Sequence, residues 1–237
     1  GVGPNLSYKL EKLNLFTVSD LIYHFPFRYD DFSKISKAAE AQIGEVVSLK
    51  GEIWSIKNIY TRYGRVLTQA IFNDGTSPIV LTWFNQSWLV KQIEVGDKLQ
   101  VSGKIAKYKS KLSIMAPQWE KQIPTPGVEN VHTSGLHTGR LVPVYPETSG
   151  LTSKWIRTRI DQILPQVISK IKDPLPVSIR DDMIELPQAL NQIHFPKSLD
   201  EVEKARERLG FDELFFVSLA TQKARSEWNK KPVIESL

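Results

Sequence analysis

Between Gly44 and Met115 the apolar residues fall on alternating positions, a period of two, and this stretch constrains the fold more than any other. Side chains of a strand point to opposite faces in turn, so the pattern buries one face of a sheet and cannot supply the stripe a helix needs. Glu45–Lys57 reads as a long strand with Gly51 inside it, a position suited to a bulge or a strong bend. Arg62-Tyr63-Gly64-Arg65 is a turn, Val66–Phe72 a second strand ended by Asn73-Asp74-Gly75, and Ile79–Phe84 a third. A short helix follows over Gln86–Ile93, and Val95-Gly96-Asp97-Lys98 turns the chain into a fourth strand, Leu99–Ala106. The hairpin Tyr108-Lys109-Ser110-Lys111 leads to a fifth, Leu112–Met115. Five strands with one helix between the third and fourth is the order of an OB-fold. The expected class is therefore α+β, a five-stranded OB-fold β-barrel flanked by helices.

The flanks carry the helical period. Leu6, Leu10 and Leu13 mark a first short helix, and Thr17-Val18-Ser19-Asp20 is a capping box with Asp in the place of Glu, opening a second helix that Pro26 stops. The Gly1-Val2-Gly3 start is similar to a helix-hairpin-helix turn, which can hold a phosphate on backbone amides, but the pair reads first as a packing scaffold. After Gln122 the chain is loop-rich, then helical through Ile156, Ile160, Ile163 and Val167 with Pro165 expected to kink or divide the helix, and a last helix runs from about Leu199 towards Asn229. Four segments result: 1–43 a helical hairpin, 44–121 the barrel, 122–198 a loop-rich and helical extension, 199–237 a helical linker.

The chain has 31 Lys and Arg against 26 Asp and Glu, a net +5. Eleven of those bases and six of the acids lie between Gly44 and Lys121, so the expected barrel accounts for the whole excess. Cysteine is absent, which removes disulfides, thiolate zinc sites and thiol nucleophiles. No run approaches the ~20 apolar residues of a membrane helix, and no membrane partner is expected. No phosphate loop, dinucleotide fingerprint or nucleophile elbow is present. His24, His132, His137 and His194 share no ligand spacing, and Asp30-Asp31 and Asp181-Asp182 are explained by capping and solvation. No catalytic residue, metal or cofactor is therefore expected in this chain, and it is not read as an enzyme by itself.

What remains is basic and aromatic. The first hairpin offers Tyr60, Arg62, Tyr63 and Arg65, and the fourth-to-fifth strand region offers Lys104, Lys107, Tyr108, Lys109 and Lys111. In an OB-fold these loops are expected on one side of the barrel, where cations neutralise phosphates and aromatic faces stack on unpaired bases. Solvated strands rich in lysine are the competing reading, in which the barrel is a protein-interaction or scaffolding module. In Trp83-Phe84-Asn85-Gln86-Ser87-Trp88, Trp83 and Phe84 point to opposite faces, so at most one is core and the other is exposed or covered by another segment. Trp88 falls in the first turn of the connecting helix. Exposed aromatics four residues apart would cap or separate base pairs at a branch; packed under the flanking helices they would do neither.

Five ordered blocks resemble one family: Leu21-Ile22-Tyr23-His24-Phe25-Pro26-Phe27-Arg28-Tyr29 after Gly1-Val2-Gly3-Pro4, then Trp83-Phe84-Asn85-Gln86, Tyr145-Pro146-Glu147-Thr148-Ser149-Gly150-Leu151, Ile193-His194-Phe195-Pro196, and Ala205-Arg206-Glu207-Arg208-Leu209-Gly210-Phe211-Asp212-Glu213-Leu214. They resemble, in order and over essentially the whole chain, the N-terminal part of the bacterial ATP-dependent DNA helicase RecG family, which contains a wedge domain. The resemblance implies an OB-fold wedge that engages stalled forks, Holliday junctions and single-stranded DNA while a motor in the same parent chain pulls duplex. It implies Phe84 and Trp88 as stacking residues, with Trp83 a third candidate where the family often has Phe. Arg62, Arg65, Lys104, Lys107, Lys109 and Lys111 would hold phosphates, with Tyr63 and Tyr108 as further contacts. ATP and Mg would belong to motor domains expected beyond Leu237, and the setting would be the bacterial cytoplasm at the nucleoid.

Overall fold

The computed structural model describes residues 3–62, 64–108, 111–122 and 135–229. Contacts group the chain into two compact units, residues 27–146 and residues 1–26 with 147–237. This differs from the four consecutive segments read from the sequence. Residues 32–41 go with the strands because Ala38 and Ala41 sit in their core and Ser48 Oγ donates to the Phe32 carbonyl at 2.6 Å.

Eight strands are described in the unit 27–146: β1 (Arg28–Asp31), β2 (Val46–Tyr60), β3 (Val66–Asn73), β4 (Pro78–Phe84), β5 (Lys98–Tyr108), β6 (Lys111–Met115), β7 (Gln118–Lys121) and β8 (Leu141–Val144). β1 and β8 form an antiparallel pair, and the other six form one sheet in the order β2-β3-β4-β6-β5-β7 with a further β2–β5 pairing. All its ladders are antiparallel except β4–β6. The expected five strands are therefore joined by β7, which pairs with β5 from Leu99↔Lys121 to Ser102↔Gln118.

β2 serves two neighbours in turn. Val46 to Glu52 pair with β5 and Glu52 to Tyr60 with β3, so Glu52 is flanked on both sides. A Cβ at Gly51 would overlap the Asn73 carbonyl, which is why glycine stands where the strand passes from one neighbour to the other. The bulge itself lies three residues on, where Ile53↔Phe72 and Ser55↔Ile71 leave Trp54 without a partner.

Alternation fills the core: Val47, Leu49 and Ile53 of β2, Ala70 and Phe72 of β3, Ile79, Leu81 and Trp83 of β4, Leu99, Val101 and Ile105 of β5, and Ile114 of β6. Each large apolar side chain contributes about 1.5–3 kcal/mol by leaving water. The helix expected over Gln86–Ile93 is a 3-10 turn, Ser87–Lys91. Five residues are too few to present an α-helical stripe, and the link buries just Leu89 and then Ile93.

The second unit holds α1 (Pro4–Glu11), α2 (Val18–Ile22), α3 (Ser153–Val167), α4 (Val177–Arg180), α5 (Leu186–His194) and α6 (Leu199–Asn229). The capping box is formed: the Asp20 amide donates to Thr17 Oγ1 at 3.1 Å and the Thr17 amide to Asp20 Oδ2 at 2.8 Å. Pro165 does not divide α3, because it stands two residues from the end, where little of the helix lies beyond it. The fully buried Arg208 of α6 pairs with Asp173 Oδ1 at 2.6 Å and with Asp212, fastening α6 to the loop before α4.

Candidate nucleic-acid interface

The register of β4 decides the fate of its aromatics. Ile79, Leu81 and Trp83 point inward; Trp83 is 1% exposed, opposite the buried Thr68, and its Nε1 donates to the Pro117 carbonyl at 3.0 Å. Trp83 is thus a core residue and no stacking platform, a correction to the sequence reading. The next residue must face outward. Phe84 does, opposite Leu67, and is 45% exposed.

After Phe84 the chain turns sharply through Asn85, which adopts φ of 55°, a left-handed conformation that Asn tolerates better than most residues. The Asn85 amide donates to the Val66 carbonyl at 2.8 Å. Asn58 Nδ2 donates to the Ser87 carbonyl at 3.0 Å, and the Thr68 hydroxyl lies 2.7 Å from Asn58 Oδ1 and 2.9 Å from the Gln86 carbonyl. This clamp fixes the 3-10 turn with Leu89 buried and Trp88 48% exposed. Phe84 and Trp88 are therefore both solvent-facing, one at the end of β4 and the other on the turn that leaves it. Asn58 and Thr68 were missed by the sequence reading; the signal was an Asn within a strand, where Asn is disfavoured without a specific bond to make.

The candidate cations fall into two groups. Arg62 and Arg65 are exposed in the β2–β3 turn, closed by the Thr61 amide donating to the Arg65 carbonyl at 2.8 Å and by Gly64 at φ of 72°. Tyr60 beside them is 73% exposed. Lys104, Lys107, Tyr108 and Lys111 are exposed too; Tyr63 and Lys109 lie outside the described residues. Lys111 is directly opposite Tyr108, and by alternation about buried Ile105 both share the outer face with Lys104. Lys107 stands opposite Leu112 on the other face, just past the core.

The two groups do not meet at one rim. Leu67↔Phe84 puts the β2–β3 turn at the C-terminal end of β4, whereas Val80↔Ser113, in a parallel ladder, puts the β5–β6 hairpin at the Pro78 end. They bracket the outer face of β4 from its two ends. Met115 adds an exposed apolar group to that face, level with Thr82. Among the described residues no three His, Asp or Glu side chains group as metal ligands. His132 is outside the described residues; the His137 amide donates to Glu120 Oε2 at 2.9 Å, and His194 is buried against the Ile22 carbonyl.

Comparison with known proteins adds to this geometry. Residues 1–167 match the family model described as the RecG wedge domain. The chain is 34% identical over 235 residues to the ATP-dependent DNA helicase RecG of Thermotoga maritima, covering 97% of this chain and 29% of that protein. It is 30% identical to RecG of Bacillus subtilis and of Escherichia coli, covering 95% and 93% of this chain and 31% and 32% of theirs. It thus spans about three-tenths of the length of these curated relatives. A solved structure of RecG bound to a three-way DNA junction superposes with a TM-score of 0.71 at 33% identity, covering 97% of this chain and 31% of that one. The family model covers residues 1–167, and relatives of 30% identity or more match nearly the whole chain: the chain belongs to the RecG wedge domain family.

Proposed function

We propose that this chain is the branched-DNA-binding wedge module of an ATP-dependent DNA helicase acting in fork reversal, branch migration, DNA repair and recombination. The sheet works as a five-stranded OB barrel with β7 added. Supporting this, the pairings run β2–β3–β4–β6–β5 and return to β2, and the return is staggered: Pro78 leads through Asn73 and Glu52 to Lys98, while Lys111, level with Pro78, faces Tyr108. Closing a barrel of tilted strands requires such an offset.

The observation that carries the reading is the exposure of Phe84 and Trp88 on one clamped corner while Trp83 anchors it from within. Two outward aromatics on a rigid turn present faces to the last base pair of each arm where a duplex opens. Arg62 and Arg65 at one end of the outer face of β4, Lys111 at the other and Lys104 between them, level with Met115 and Thr82, hold backbone phosphates without regard to sequence, and Lys109 is assigned the same role from its place in the sequence. ATP and Mg would serve motor domains of the parent protein, which would pull duplex against the wedge in the bacterial cytoplasm.

Fluorescence anisotropy with a fork, a single strand and a linear duplex tests this. The fork binds tightest, and with five phosphates held on duplex arms log affinity falls with log salt at a slope of about −4.5. Phe84→Ala with Trp88→Ala lowers fork affinity about tenfold or more, from ~1–3 kcal/mol per stacked base, and leaves linear duplex nearly unchanged. Equal affinity for all three substrates would overturn branch recognition, and undetectable binding at low salt beside capture of a protein partner would favour the scaffolding reading.

A further inference from the structure

A second aromatic surface stands apart from Phe84. Trp54, the bulged residue of β2, is 54% exposed. It lines a cavity of about 330 Å³ with Lys50, Glu52, Asn73, Lys98 and Gln122. Alternation places Lys50, Glu52 and Trp54 together on the outer face of β2, since Leu49 and Ile53 are core, and Lys98 is directly opposite Glu52. Trp54 lies beside Ile71, four residues along β3 from the Leu67 that faces Phe84, about 13 Å along the strand.

The chemistry of this cavity is that of a stacking platform with cations. Neither Lys50 nor Lys98 is ion-paired among the described residues, and Trp54 makes no ring contact there. Asp74 also borders the cavity, but its carboxylate accepts from the amides of Ala38 at 2.7 Å, Thr76 at 2.9 Å and Ser77 at 3.2 Å and from the Thr76 hydroxyl at 2.7 Å. Its charge is engaged in holding the β3–β4 turn. Glu52 is left against two lysines. The volume is at the low end for ligand cavities, room for one base with its sugar.

We infer that this cavity is a second single-strand subsite, in which one unpaired nucleobase stacks on Trp54 and its flanking phosphates lie on Lys50 and Lys98. The inference rests on the DNA-binding reading above and extends it along the outer face, about 13 Å along β3 from the Leu67 that Phe84 faces.

The test uses the whole chain, fluorescein-labelled dT20 and an abasic 20-mer of equal charge. Trp54→Ala weakens dT20 about tenfold and the abasic strand less than twofold, and Trp54→Phe restores most of the loss. Lys50→Ala with Lys98→Ala weakens both probes and makes the log–log salt slope shallower by about 1.4, two phosphates at ~0.7 each for a single strand. Glu52→Gln tightens both. Unchanged dT20 affinity in Trp54→Ala overturns the subsite, and so does equal weakening of both probes, which would mark a structural role. Fork preference separates the two readings. If it survives in Trp54→Ala with dT20 binding unchanged, the subsite fails alone; if Phe84→Ala with Trp88→Ala abolishes no fork preference while Trp54→Ala still weakens dT20, the subsite stands and the junction reading fails.

Discussion

Asn58 acts on the candidate interface through backbone. Its amide group bridges Thr68 and the Ser87 carbonyl, so removing it frees the turn that carries Trp88. Asn58→Ala should cost about 1 kcal/mol in urea unfolding and bring fork preference down to that of Trp88→Ala, with linear-duplex affinity unchanged; normal fork preference would show that the clamp is not needed. His194 makes a different claim. Burial pulls its imidazole down to about 4, the Ile22 carbonyl pulling it back up and His24 pushing further down. Between about 6.5 and about 4 the unfolded chain therefore holds a proton the folded chain refuses. Stability should be full above that window, fall by about 3 kcal/mol as pH drops through it, and level off below. Burial pushes the Asp173 carboxyl up, but the Leu186 and Leu175 amides and Arg208 hold it below its usual range, so its contribution is lost beneath that window. Denaturation of His194→Gln from pH 7 to 4.5 should show a flatter profile than wild type; matching slopes would overturn the assignment. At this scale sequence showed that Trp83 and Phe84 face opposite ways, and the Thr68↔Trp83 register was needed to say which is inside.

Among the elements, β2 is the one that two ladders of the sheet share. Gly51→Ala forces a Cβ into the Asn73 carbonyl, and that backbone cannot retreat because Asn73 is paired to Glu52 on one side and Pro78 on the other. A loss of about 1–3 kcal/mol is expected from overpacking, read as a lower urea midpoint at unchanged slope; an unshifted midpoint would mean the two strands part more easily than their pairing implies. Thr17→Ala should cost about 1 kcal/mol by removing one half of the α2 capping box. These features were legible because they are local: alternation from Glu45 to Met115, a glycine inside a strand, Thr and Asp three apart. β7 and the β1–β8 pair were not, since four-residue strands show little periodicity and their pairing joins distant parts of the chain. The link after β4 misled for the same reason, its apolar residues spaced like a helix too short to be one.

For the whole molecule, the structure sharpens where the charge lies. The unit 27–146 has fifteen Lys and Arg against ten Asp and Glu, so it carries the entire +5 and the other unit is neutral. Composition located that excess in residues 44–121, but contacts set wider bounds. Cutting at Gly44 removes Ala38 and Ala41 from the core, the Phe32 carbonyl from Ser48, and the Ala38 amide from Asp74. Cutting after Lys121 removes the Thr138 hydroxyl and the His137 amide that Glu120 accepts. A fragment of residues 27–146 is contiguous and should unfold cooperatively with the midpoint of its own sheet, while residues 44–121 should be markedly less stable or unfolded, as circular dichroism and amide dispersion would report. Because the fragment keeps Phe84, Trp88, Trp54 and every cation assigned to phosphate above, its salt slope on a fork should equal that of the full chain. A shallower slope in a well-folded fragment would place phosphate contacts on the neutral unit instead, and with them the helical hairpin at Gly3–Pro4 would return as a DNA-holding element.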